Sequence, residues 1–136
     1  MTRAPELVGP LLAVWKQLRT VDGFVEGPSV FDDSDQDRAF YVNGTQVVNL
    51  RGPGVLELRV TKAVIRAERA RLKADPRVEL RPSTSDWLRI NVSKARDASL
   101  VLDLARRAAE AHLPPRGTTV RPPPDGADLA RRRRFH

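Results

Sequence analysis

"RAFYVNGTQVVNLRGPG", residues 38–54, decides the fold of this chain. "AFYV" and "TQVV" flank Asn43-Gly44, the dipeptide that favours a type I′ turn because both central residues take positive φ. A two-residue loop pairs Val42 with Thr45 and Phe40 with Val47, and sets their side chains on one face. Gly52-Pro53-Gly54 turns the chain again. "VLELRV", 55–60, then makes a third strand, with Val55, Glu57 and Arg59 on one side and Leu56, Leu58 and Val60 on the other. Three strands in succession form an antiparallel meander.

The flanking sequence supplies helices and further strands. Residues 6–21 carry Val8, Leu11, Trp15 and Leu18 at helical spacing. Pro10 is tolerated only in the first turn of such a helix, so the regular part begins there with Gly9 near the cap. Residues 22–37 hold six acids and no base; Phe24, Val25, Val30 and Phe31 fit a short strand around Gly27-Pro28, and "DDSDQD" reads as a solvated turn. After the meander, Thr61 is an N-cap for a helix over 62–74, with Val64, Ile65 and Leu72 inward. "RVEL", 77–80, is a short strand. "WLRINV", 87–92, alternates Trp87, Arg89 and Asn91 against Leu88, Ile90 and Val92. Asp97 caps a last helix over 98–113, whose inward stripe is Leu100, Leu104, Ala108 and Ala111. The expectation is an α+β fold of order α-βββ-α-ββ-α. Its antiparallel sheet joins the three-strand meander to a two-strand unit, with helices packed on one face.

Composition bounds the function. The 136 residues suit one domain, here read as residues 1–113, and include no cysteine. That excludes disulfides, thiolate metal sites and cysteine nucleophiles. No apolar run approaches the roughly 20 residues of a membrane span, and the first residues lack the pattern of a secretory signal. A cytoplasmic protein without membrane partners is expected. Net charge is +7, unevenly spread. Residues 114–136 hold six arginines against two aspartates, or +4, leaving +3 for the rest. With five prolines, this tail is expected to be disordered.

The stretch from Phe40 to His112 resembles the "luciferase domain" family, small bacterial proteins of unknown function related to the fungal luciferases. The resemblance rests on four features. They are the glycine-turn hairpin, a G-x-L-x-L-x-x-T step at Gly54–Thr61 (read as "GVLELRVT"), "DWL" at 86–88, and Arg96-Asp97 opening the last helix. The final part is also similar to the YjbR-type double-wing proteins, which share this order of elements. The resemblance implies a small-ligand-binding or enzyme-like domain and, for a working enzyme, oxidation of a small aromatic substrate with oxygen and no metal. Relatives often carry His-x-His after the hairpin turn, where this chain has Asn49-Leu50-Arg51. Neither flanking residue titrates near neutral pH, so neither replaces a histidine as base.

Three groups of residues are candidates for function. Asn49, Arg51, Arg89 and Asn91 share a sheet face with Trp87; an indole wall beside amides and guanidiniums suits a planar anionic or phenolic ligand. The alternative is an ordinary wetted sheet face. Lys62, Arg66, Arg69 and Lys73 form a basic helix stripe, and Arg131, Arg132, Arg133 and Arg134 a basic tail. Either could add weak, nonspecific affinity for nucleic-acid phosphates, or simply be solvated charge. A third reading is an interaction module without a ligand. The remaining signals point to no metal or cofactor. Counted from Asp33, a calcium loop would need Gly at 38 and Glu at 44, and Arg38 and Gly44 stand there. His112 and His136 make neither a metal site nor a triad.

Overall fold

The computed structural model describes residues 7–30, 37–82 and 84–124. The meander forms as the sequence suggests. β2 (Asp37–Val42), β3 (Thr45–Gly52) and β4 (Val55–Arg59) are consecutive antiparallel neighbours. Asn43 and Gly44 take φ of 49° and 77°, the left-handed values a type I′ turn demands. A short edge strand, β1 (Val25–Pro28), precedes them and pairs with β2; its proline sits where a missing amide disrupts no inner ladder. β6 (Trp87–Asn91) pairs with β4, and β5 (Val78–Leu80) lies outside it. The result is one six-stranded antiparallel sheet of order β1-β2-β3-β4-β6-β5, in an α+β fold.

The register of the hairpin corrects the sequence reading. Val42 faces Thr45 and Tyr41 faces Gln46, but Phe40 then faces Val48 rather than Val47. A β-bulge inserts Val47, and both valines are fully buried. The bulge has a consequence of parity. Gln46 and Asn49 are three apart, so a regular strand would point them to opposite faces. With one extra residue between them, Gln46 opposes Tyr41 and Asn49 opposes Ala39, two positions apart on β2 and therefore on one face. A second bulge leaves Arg51 as the extra residue between the pairs Leu50–Leu56 and Gly52–Val55.

The other face carries the core. α1 (Gly9–Leu18) and α4 (Ala98–His112) pack against it and against each other. Leu11, Val14, Trp15 and Leu18 of α1 are buried, whereas Val8 is exposed, because it precedes the helix. The Trp15 and Phe40 rings lie 4.6 Å apart between centroids. The indole Nε1–H donates to Glu26 Oε2 at 3.0 Å, and Arg19 pairs with the same carboxylate. α4 buries Ala98, Val101, Leu104, Ala105, Ala108 and Ala109; Leu100 and Ala111 flank this stripe rather than lying in it. A 3₁₀ turn, Ala95–Asp97, leads into α4.

Asp97 does not cap forward as expected. Its Oδ2 accepts from the amides of Ser93 and Lys94 at 2.9 and 3.0 Å, and its Oδ1 from Arg77 at 3.0 Å. Burial pushes this carboxyl upward, but the two amides and the guanidinium outweigh burial and hold it at about 2.

The helix expected over 62–74 is two: α2 (Lys62–Ala67) and α3 (Arg69–Ala74), bent at Glu68. Glu68 pairs with Arg107 of α4 at 2.7 Å and with Arg71 at 2.9 Å. The amide ladder continues through the bend, since Leu72 N donates to Glu68 O. Thr61, ahead of α2, has φ 86° and ψ 152°, a region that glycine alone occupies readily. It is held there by its amide donating to Asp86 O and by Lys62 N donating to Asp86 Oδ1.

Beyond α4 the chain returns to the hairpin. The Arg121 amide donates to Asn43 Oδ1 at 2.8 Å, and Pro124 is buried. A Cβ added at Gly44 would stand 3.1 Å from Arg121 Cβ. The "DDSDQD" turn (but for Asp37 at the start of β2) and Arg131–Arg134 lie outside the described residues, as does the expected disorder over 125–136.

Candidate ligand-binding site

The site is the sheet face turned away from α1 and α4. Alternation puts Tyr41, Gln46, Asn49, Glu57, Arg59, Trp87 and Arg89 there, because each is cross-strand paired within that one set or with Ala39. Its floor is polar and yet buried: Gln46, Asn49 and Glu57 are each less than a tenth exposed. Buried polar atoms need partners, and these form a chain. Tyr41 Oη donates to Pro28 O at 2.5 Å and contacts Gln46 Oε1 at 3.3 Å. Gln46 Nε2 donates to Ser29 Oγ, and Ser29 Oγ donates to Asn49 Oδ1 at 2.8 Å. Asn49 Nδ2 donates to Glu57 Oε1 at 3.1 Å.

Glu57 ends the chain among arginines. Arg89 Nε donates to its Oε2 at 3.1 Å, and Arg81 lies 3.7 Å from the same oxygen. Arg51, placed by its bulge, joins them around a recess of about 340 Å³ that Glu57, Ser85 and Trp87 also line. Three guanidiniums against one carboxylate leave an excess of positive charge. Arg51 makes no ion pair among the described residues, so its donors are free for a ligand. Ser85 Oγ accepts the Trp87 amide at 3.1 Å.

Trp87 also lines a second recess, of about 260 Å³, with Val30, Tyr41, Gly44, Thr45, Gln46 and Arg59. Arg59 reaches Asp86 at 3.5 Å through one terminal nitrogen. Its Nε is enclosed and has no hydrogen-bond partner among the described residues. Leaving such a donor unpaired costs about 1–3 kcal/mol.

Of the residues expected on this face, Arg51, Trp87 and Arg89 line the first recess. Asn49 lies beneath it as support, through Glu57. Asn91 is on the same face at the strand's end, exposed, and bonds to Arg77 O. Glu57, Arg81, Tyr41 and Gln46 are additions. Glu57 could have been read from its place, a carboxylate inside an apolar strand in register between Asn49 and Arg89; the bulge concealed Gln46. Lys62, Arg66, Arg69 and Lys73 are all exposed and are not among the lining residues of the recess, and the bend at Glu68 falls within their stripe. Among the described residues no group of three or more His, Asp or Glu side chains is arranged to hold a metal. No described helix is long and apolar enough to cross a membrane.

Fold and site together define a class: an α+β protein with an arginine-lined sheet face, turned away from α1 and α4, over a buried polar floor. Compared with models of protein families, with curated proteins and with solved structures, the chain matches none.

Proposed function

We propose that this protein binds a small planar anionic or phenolic ligand on the sheet face turned away from α1 and α4. One observation carries the reading: Arg51, Arg81 and Arg89 converge around Glu57 beside the Trp87 indole, over a recess of about 340 Å³. Guanidiniums recognise carboxylates and phenolates by paired hydrogen bonds and also stack on planar groups. The buried chain from Tyr41 to Glu57 fixes the floor, so little order has to be gained on binding.

Binding rather than turnover is the proposal. Among the described residues of the recess wall there is no histidine or cysteine, and the Ser85 hydroxyl is engaged by a backbone amide. Kinship with the luciferase-domain family belongs to the same proposal. Asn49 and Arg51, standing where relatives often carry histidines, would give a binding member rather than an oxidising one. A cytoplasmic location fits the cysteine-free chain.

A thermal-shift screen of aromatic carboxylates, phenols and aliphatic anions tests this. A ligand at 100 times its Kd stabilises by about 2.7 kcal/mol. Planar aromatic anions should raise Tm, and Arg51→Ala should weaken that rise while leaving the unliganded Tm unchanged. If no planar anion raises Tm, the proposal fails.

The exposed stripe of Lys62, Arg66, Arg69 and Lys73 supports a second reading, contact with nucleic-acid phosphates. Such affinity falls steeply with salt, by roughly 0.9 log unit per log unit of salt for each phosphate contacted. No binding of DNA or RNA at low salt would remove it.

A further inference from the structure

The second recess shares a wall with the first. Trp87 lines both, with Arg51, Arg81, Arg89 and Glu57 on one side and Arg59, Tyr41, Gln46 and Thr45 on the other. The register fixes their relation. Arg59 pairs across the sheet with Trp87, and Glu57 with Arg89, so Arg59 and Arg89 are diagonal neighbours on one face. Such neighbours stand roughly 7–8 Å apart.

The two guanidiniums differ in how fully they are used. Arg89 makes a close bond to Glu57. Arg59 has one loose contact, to Asp86 at 3.5 Å, and an enclosed Nε that meets no acceptor among the described residues. A buried donor without an acceptor is rare in folded proteins. That nitrogen is closed to solvent, but the Arg59 side chain lines the recess and its terminal nitrogens hold only the loose Asp86 contact, so an anion in the recess has donors to meet.

Resting on the proposed function, and extending it, we propose that the ligand is two-ended: a planar body against Trp87 carrying anionic groups at opposite ends, one held by the Arg51–Arg81–Arg89 cluster and one by Arg59. The second anion replaces the loose Asp86 contact as partner of the Arg59 guanidinium. Tyr41 and Gln46 are engaged with Pro28, Ser29 and Val30, so they shape this end rather than charge it.

Isothermal titration calorimetry of the full chain with benzene-1,4-dicarboxylate and with its monomethyl ester tests the assignment, since the two differ in one charge at nearly constant shape. The dianion should bind at least tenfold more tightly to the wild type. Arg59→Met, which keeps the apolar stem, should bind both compounds with equal affinity, near that of the ester for the wild type. Because it removes an unpaired donor, Arg59→Met should also melt no lower than the wild type, which separates lost binding from lost folding. Arg51→Ala should weaken both compounds alike. Equal wild-type affinities, or a dianion preference that survives in Arg59→Met, would overturn the two-ended site while leaving the single-anion reading intact. If neither compound nor any planar anion in the screen binds, both readings fall together.

Discussion

Gly54→Ala probes the turn that launches the central strand. Gly54 has φ +70°, and a Cβ placed there stands 2.9 Å from the carbonyl oxygen of Val92. That carbonyl has little room to retreat, because the Val92 amide donates to Gly54 O at 2.7 Å and ties the two segments together. Two costs therefore add. A left-handed conformation costs a side-chain-bearing residue about 1–2 kcal/mol. Relieving a backbone overlap by shifting packed strands costs about 1–3 kcal/mol more. A chain of this size loses roughly 3–5 °C of Tm per kcal/mol. A total near 2–5 kcal/mol then lowers Tm by about 6–25 °C. Gly52 is the internal control. It lies in the same turn, on the other side of Pro53, with no positive φ and open space where a Cβ would go. Gly52→Ala should stay within about 1 kcal/mol of the wild type, and could stabilise by restricting the unfolded chain. Thermal melts followed by circular dichroism measure both variants. Equal shifts for the two alanines would refute the assignment of the cost to the Val92 approach.

Thr61 should reverse the usual order of helix-cap substitutions. Thr61→Ala keeps the φ of 86° and loses the Oγ1 acceptor, at a cost of about 1 kcal/mol, whereas Thr61→Gly relieves the backbone; urea titrations should place glycine above alanine. Asp97 should govern part of the acid response. Its pKa, about 2 when folded, lies below the ordinary aspartate value. The stability it contributes is therefore present above about pH 4 and lost as pH falls toward 2. Asp97→Asn should lose about 2 kcal/mol at pH 7 and show a shallower decline between pH 4 and 2. Glu57→Gln keeps an acceptor for Asn49 and removes the counter-charge of the arginine cluster. It should bind benzene-1,4-dicarboxylate more tightly while melting lower, and a parallel loss of both would contradict the electrostatic account.

The parts of the fold that were legible in the sequence are those where local rules act alone. Asn43-Gly44 imposes a turn through its own backbone, and Leu56-Glu57-Leu58 alternates because a strand has period two. Helices beginning near Pro10 and Thr61 follow from proline and cap chemistry. What escaped were effects of distant residues. The break at Glu68 falls where Arg107, far along the chain, pairs with its carboxylate. Asp97 turns back because Arg77 and two preceding amides converge on it. The site was half visible: Arg51, Trp87 and Arg89 could be set on one face by alternation. Glu57 could be set on that face by the same alternation, but its burial could not, since the edge segment around Ser29 and the neighbouring strands close over that floor.

The extra valine in β3 makes the binding face sensitive to chain length in one direction. Removing one valine between Gln46 and Asn49 would leave a regular hairpin with the two carboxamides two positions apart and still on one face. The floor beneath the arginines would then survive at the cost of one buried side chain. Adding a residue there, with the single bulge kept, would turn Asn49 over and part it from Gln46. Descendants that keep the fold but carry a single-codon insertion at this place should therefore have lost the ligand, whereas those with a single-codon deletion should keep it.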